Sequence, residues 1–119
     1  ITDALSEAGV DIFDVSTRVF STPVFAGSEM GLAGWVRRLS GKAVITVGGI
    51  GFDRELAASF AQPTLAIDNL DEVVRRFTAG EFDLVALGRA LLMDAEWVTR
   101  AREGKPFAPF DLSAYGRLE

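Results

Sequence analysis

Two apolar runs end in glycine where a strand should stop. "VITVGGI" (44–50) closes on Gly48 and Gly49. About forty residues further on, "LVALGRALL" (84–92) passes through Gly88 and Arg89 and resumes as a helix. Glycine lets the backbone come close to an anion, so that its N–H can donate directly. A helix start just beyond adds positive dipole. Arg89 brings a planar, two-pronged donor suited to phosphate. In parallel α/β folds the ligand sits beyond the C-terminal ends of the strands. Two such turns on adjacent strands would therefore converge on one phosphate. Each signal alone has a plainer reading. A strand-end glycine most often serves turn geometry, and a lone arginine is most often solvated or ion-paired. The pairing of the two turns is what lifts the signal. "GGIG" is neither G-x-G-x-x-G nor a Walker loop, so it does not support a dinucleotide or P-loop site.

Other residues carry less. Asp11 and Asp14 flank a strand and could form a carboxylate pair, although Asp11 suits the preceding turn. Arg18 and Phe20 lie on a loop at the ligand end and could line a pocket. Trp35 and Trp97 fall at helical core spacing, which is the spacing of packing residues. Asp71, Glu72 and Glu96 suit first helical turns, where acidic groups favour the dipole.

Composition removes whole classes of chemistry. The 119 residues contain no Cys and no His, which excludes disulfides, thiolate metal sites and a Ser-His-Asp triad within the chain. With 49% apolar residues the chain can build a core despite its net charge of −5. No run of Lys or Arg forms a basic stripe, so nucleic acid is not an expected partner. No apolar run approaches the roughly 20 residues needed to span a bilayer. The opening "ITDALSEAGVD" lacks the basic start and apolar run of a signal peptide. It reads as a helix entered midway, so a processed or partial chain and a cytoplasmic location are expected.

The elements that would position these residues alternate. "DIFDVST" (11–17), "AVITVGGI" (43–50) and "FDLVALG" (82–88) read as strands, the second as one buried on both faces. Leu32, Trp35, Val36 and Leu39 mark one face of a helix, with Ser28 as its cap and Gly41 as its end. "DRELAASFA" reads as a short helix broken by "QPT". Asp68 or Asn69 caps a helix carrying Leu70, Val73, Val74 and Phe77 and ended by Gly80. Asp94 caps a last helix with Trp97, Val98 and Ala101 on one face and Gly104 after it. An irregular, proline-containing tail follows from about residue 105. "EAGVDIFDVS" (7–16) and "TAGEFDLVALG" (78–88) form a faint repeat, each a helix end, a left-handed glycine and a strand. Repeated βα units imply a parallel sheet. Three strands leave both edges open, so completion by further strands is expected, in a barrel or a doubly wound sheet.

"GKAVITVGGIG" followed by "GEFDLVALGRALLMDAEW" resembles the C-terminal part of the old yellow enzyme family, the NADH:flavin oxidoreductases. "DIFDVSTR" and the stretch up to "LAGWVRRLSGK" resemble it as well, so the likeness covers nearly the whole chain. The resemblance implies an α/β fold that is the last three βα units, about strands 6 to 8, of a (β/α)8 TIM barrel. It implies an FMN-dependent oxidoreductase that takes hydride from NADH or NADPH and passes it to a small-molecule electron acceptor. The backbone of Gly48, Gly49 and Gly88, with Arg89, would hold the FMN phosphate. The strands that hold the flavin ring, the residues that grip the substrate and the proton-donating tyrosine have no counterpart here. No catalytic residue is therefore expected, and the chain alone should not turn over. Its expected partners are the missing N-terminal part of the barrel or a second copy of itself. Two other readings stand beside this one: another phosphate-binding TIM-barrel enzyme, and a non-catalytic half-barrel that associates through its open edges.

Overall fold

In the computed structural model, residues 1–53, 66–111 and 113 are described. The order is α1 (Thr2–Glu7), β1 (Ile12–Ser16), α2 (Leu32–Ser40), β2 (Ala43–Val47), α3 (Leu70–Thr78), β3 (Leu84–Val85), α4 (Arg89–Met93) and α5 (Trp97–Glu103). The expected α/β alternation is present. The helix expected over 53–61 lies, apart from Asp53, outside the described residues. Residues 105–111 form no helix or strand.

The three strands form one parallel sheet in the order β1-β2-β3, with β1 and β3 as its edges. Asp14 pairs with Ile45, and Ile45 with Leu84. Side chains alternate across a strand, so Val15, Val44 and Thr46 share one face while Ile12, Ile45 and Leu84 share the other. Among the described residues, the helices cover only the first. Val44 and Thr46 are almost fully buried, and Val15 and Val44 belong to a cluster with Ala33 of α2, Val73 of α3 and Trp97 of α5. On the second face Ile12 is 51% and Leu84 53% exposed. The expectation that β2 is buried on both faces is thus corrected, because the described residues supply one covering layer.

Two helix faces also differ from expectation. In α2 the buried residues are Ala33 and Gly34, whereas Leu32 and Leu39 are exposed. A Cβ on Gly34 would run into Met30 and stand 3.0 Å from Glu81 Cγ, so the helix approaches its neighbours closely through its small residues. In α3 Val73 is buried, but Val74 and Phe77 are exposed, and the second inward position belongs to Arg76. Its guanidinium meets Glu81 at 2.9 Å and also donates to the Ser21 and Glu29 carbonyls. This buried ion pair ties the β1–α2 loop to α3 and to the turn before β3.

The faint repeat has a shared geometry. After α1, Gly9 takes φ +97° and Val10 N–H donates to Leu5 O; after α3, Gly80 takes φ +78° and Glu81 N–H donates to Arg76 O. Both are Schellman endings, which turn a helix directly into the following strand. The caps at helix starts are looser than the sequence suggests. Ser28 accepts from Met30 N–H in the loop before α2, whose N-cap is Gly31. Asp68 accepts from Leu70 N–H, and Asp94 from Glu96 N–H.

Candidate functional site

The three strands stop at one end of the sheet, and the loops beyond them enclose an open cleft of about 820 Å³. That volume lies within the usual range for small-molecule sites, roughly 300–1,000 Å³. Each strand contributes to the lining: Thr17 and Arg18 after β1, Gly48 and Gly49 after β2, Gly88 and Arg89 before and at the start of α4. All four residues singled out as phosphate contacts therefore line the same cleft. The alternation of β and α explains why, since parallel strands place all their C-terminal ends on one side.

The glycines are not equivalent. Gly48 has φ +131°, and a Cβ there would overlap the Thr17 carbonyl. Its own carbonyl accepts from Phe20 N–H at 2.9 Å. The end of β1 is packed onto this backbone, so the chain needs glycine here whatever binds. Gly49 has φ +70°, which disfavours side chains, although the space around it is ordinary. Gly88 has neither constraint. Its φ is −105° with ψ −86°, and among the described residues a Cβ would meet nothing within 4 Å. Among the described residues, the N–H groups of Gly49 and Gly88 donate to no backbone carbonyl.

The turn after β2 is held by a residue that local sequence patterns present only as a helix cap. Asn69 donates from Nδ2 to Gly49 O and accepts at Oδ1 from Gly51 N–H, both at 2.9 Å. The side chain thus bridges the turn in the manner of a backbone strand. It makes no cap bond to α3. Nothing local in the sequence marks this role, because its partners lie 18 and 20 positions away.

Arg89 is half-buried, and its guanidinium lies over the Phe52 ring, 4.7 Å from the centroid. Among the described residues, the lining carries two arginines, Arg18 and Arg89, and no carboxylate. In a chain of net charge −5 this is a local inversion of sign. The helix that begins at Arg89 is only five residues long, so its dipole adds less than the sequence pattern suggests.

The remaining candidates are placed elsewhere. Phe20 is buried in the core rather than in the cleft lining. Its short link to Gly48 pulls the loop inward. Asp14 lies on the uncovered sheet face, and Asp11 precedes the start of β1, about 16 Å along the strand from the cleft end. Neither lines the cleft. Trp97 packs in the core as expected, stacked on Phe107. Trp35 packs edge-on against Phe25. Among the described residues, no group of acidic side chains is arranged to hold a metal ion, and no helix is long and apolar enough to cross a membrane. No protein-family model matches the chain, and no curated protein matches it.

Proposed function

We propose that the cleft is the phosphate end of a flavin site, and that the chain is the strand 6 to 8 portion of an FMN-dependent NAD(P)H oxidoreductase of the old yellow enzyme type. The observation that carries this reading is the sign inversion at the strand ends. An acidic chain places two arginines, no described carboxylate and two glycine turns around one cleft. Gly88 sharpens it. Among the described residues, packing asks for glycine at 48 but not at 88, and close approach of a ligand would supply a reason.

The one-sided sheet supports the barrel assignment. In a barrel wall the helices cover the outer face, and the inner face packs against strands from around the ring. Ile12, Ile45 and Leu84, on the uncovered face, would occupy that inner face. The remaining strands would come from elsewhere in the polypeptide or from a second chain. The nicotinamide partner fits a cytoplasmic setting.

In this site the N–H groups of Gly49 and Gly88 would donate to the phosphate, and Arg89 would add a charged fork. Gly48 would shape the turn. Val47, Ile50 and Leu87 supply apolar wall that excludes water. FMN, when bound, would supply acceptance of hydride from NADH or NADPH and its delivery to a small electron-poor acceptor. Orientation of the ring and transfer of a proton fall to residues outside this chain.

The test is a binding titration with FMN, riboflavin and inorganic phosphate, followed by flavin fluorescence. FMN is expected to bind at least about tenfold tighter than riboflavin, since one charged contact is worth roughly 1.5–3 kcal/mol, and phosphate should compete. Equal affinity for the two flavins overturns the reading. Binding of sugar phosphates with no affinity for FMN selects a different phosphate-binding barrel. The chain alone should leave NADH oxidation at the level of free FMN, because hydride transfer needs a fixed ring geometry.

A further inference from the structure

We propose that Asn69 is a positioning residue for the phosphate: by gripping Gly49 and Gly51 from outside the cleft, it fixes the direction in which the backbone N–H groups of the turn after β2 point. The inference rests on the cleft being a phosphate site and gives a role there to a residue that does not line it.

The turn has little stiffness of its own. Gly48, Gly49 and Gly51 have φ of +131°, +70° and +84°, and glycine has more backbone freedom to lose than any other residue. Residues 49–52 close on one bond, from Phe52 N–H to Gly49 O at 3.4 Å, which is long for a hydrogen bond. A negative φ at Ile50 followed by +84° at Gly51 is the pattern of a type II turn.

The hold comes from the segment before α3. Ala66 bridges Phe52, and Ile67 N–H donates to Gly51 O at 3.0 Å. Asn69 adds two bonds of 2.9 Å, from its Nδ2 to Gly49 O and from Gly51 N–H to its Oδ1. One side-chain amide supplies both a donor and an acceptor, and only one orientation of it satisfies both partners. An aspartate at this place would offer acceptors alone.

These contacts decide where the donors aim. Phe20 N–H takes Gly48 O, and Asn69 takes Gly49 O. Neither Phe20 nor Asn69 lines the cleft. A trans peptide sets its N–H opposite its C=O, and among the described residues no peptide is cis. Gly49 N–H therefore points away from Phe20, and Ile50 N–H away from Asn69. Both residues line the cleft, and among the described residues neither N–H donates to a backbone carbonyl. Successive N–H groups of a turn form a concavity suited to an anion. A turn set before binding lowers the ordering cost at binding.

The experiment compares wild type, Asn69→Ala, Asn69→Asp and Val73→Ala, titrated with FMN, riboflavin and inorganic phosphate at about pH 8, where a carboxyl is ionised. Asn69→Ala should weaken FMN by about threefold to tenfold, the worth of about one net hydrogen bond, and leave riboflavin within about twofold. Asn69→Asp keeps the acceptor for Gly51 N–H but loses the donor to Gly49 O, so it should bind FMN no better than Asn69→Ala. Val73→Ala loosens the same helix from its buried side and should leave both flavins within about twofold. In the amide spectrum of wild type, inorganic phosphate should shift Gly49 and Ile50 together with Gly88. Asn69→Ala should need about threefold to tenfold more phosphate for the same shift.

If either Asn69 variant binds FMN as wild type does, the inference fails while the phosphate reading stands. The same holds if Asn69→Ala lowers riboflavin binding equally, if Val73→Ala weakens FMN as much, or if phosphate shifts Gly88 but neither Gly49 nor Ile50. If wild type binds FMN no better than riboflavin, the phosphate reading fails and takes the inference with it. Should the Asn69 variants not fold, wild type decides. Phosphate shifts at Gly49 and Ile50, with an Asn69 side-chain amide slow to exchange, support the inference, and a fast-exchanging amide overturns it.

Discussion

Gly48 lies so close to the carbonyl of Thr17 that no Cβ fits between them: an added carbon would overlap the oxygen and stand 2.8 Å from the carbonyl carbon. The neighbouring strand end is held there by Thr17, whose N–H and Oγ1 both donate to Val47 O at 3.0 Å. Gly48→Ala therefore has to strain φ and push two strands apart. It should cost about 3 kcal/mol or more of stability, read as a fall in the urea midpoint. A stability within about 0.5 kcal/mol of wild type would mean that the strand ends are not packed in this way.

Gly88 gives the converse experiment. Gly88→Ala meets no described atom within 4 Å and should leave stability within about 0.5 kcal/mol. FMN binding should fall about tenfold as the methyl group interferes with the N–H contact. Arg89→Ala should cost roughly 1–3 kcal/mol of FMN affinity. Calorimetric titration of both variants checks these values, and unchanged affinity in both removes the phosphate from this end of the cleft.

The Arg76–Glu81 pair should dominate the stability of the β1–α2 loop. Only 4% of Arg76 and 8% of Glu81 are exposed. Removing one partner strands a buried charge, at a cost of about 3–5 kcal/mol. Arg76→Ala should lose that much stability, read from the urea midpoint, and Glu81→Ala less, because Arg76 keeps its 2.6 Å ion pair with Glu72. Arg76→Met with Glu81→Leu should recover part of it, since the charge is then removed from both sides. If the double variant is no better than the singles, the pair contributes through its hydrogen bonds to Ser21, Glu29 and Gly31 rather than through charge balance.

Glu72 predicts a pH dependence. Hydrogen bonds from Arg75 and then Arg76 lower its carboxyl from the ordinary 4.5 to about 2. A depressed carboxylate contributes stability above its unfolded value and loses it as pH falls through the folded one. The contribution is therefore complete above about pH 5 and fades between about pH 4.5 and pH 2. Melting temperature should decline across that window, and Glu72→Gln should decline less steeply than wild type. Parallel curves would show that other carboxylates account for the acid sensitivity.

The alternation of elements and the glycine endings were legible in the chain because their signals are local. β-branched runs mark β1 and β2, and a glycine after each Schellman turn marks where α1 and α3 release the strand. Strand ends and the residues just beyond them follow from these patterns, and parallel pairing brings all such ends to one side. That is why Gly48, Gly49, Gly88 and Arg89 could be named together before any contact was known. The helix faces were less legible. Apolar spacing pointed to Leu32 and Leu39 in α2, but close approach through Ala33 and Gly34 turned a different stripe inward. In α3 the periodicity could not show that a charged residue, Arg76, would take a core position.

The sequence by itself determined the order of elements, their parallel sense and the end of the sheet at which Gly48, Gly49, Gly88 and Arg89 meet, because the signals for each lie within short stretches of chain. Only the tertiary structure decided what each residue at that end packs against. It separated Gly48, whose backbone packs on Thr17, from Gly88, where an added Cβ would meet no described atom. It drew Phe20 into the core, set Asn69 across the turn and laid Arg89 on Phe52. These roles depend on distances between residues tens of positions apart. Such distances are set by how whole elements pack, and local periodicity carries no record of them.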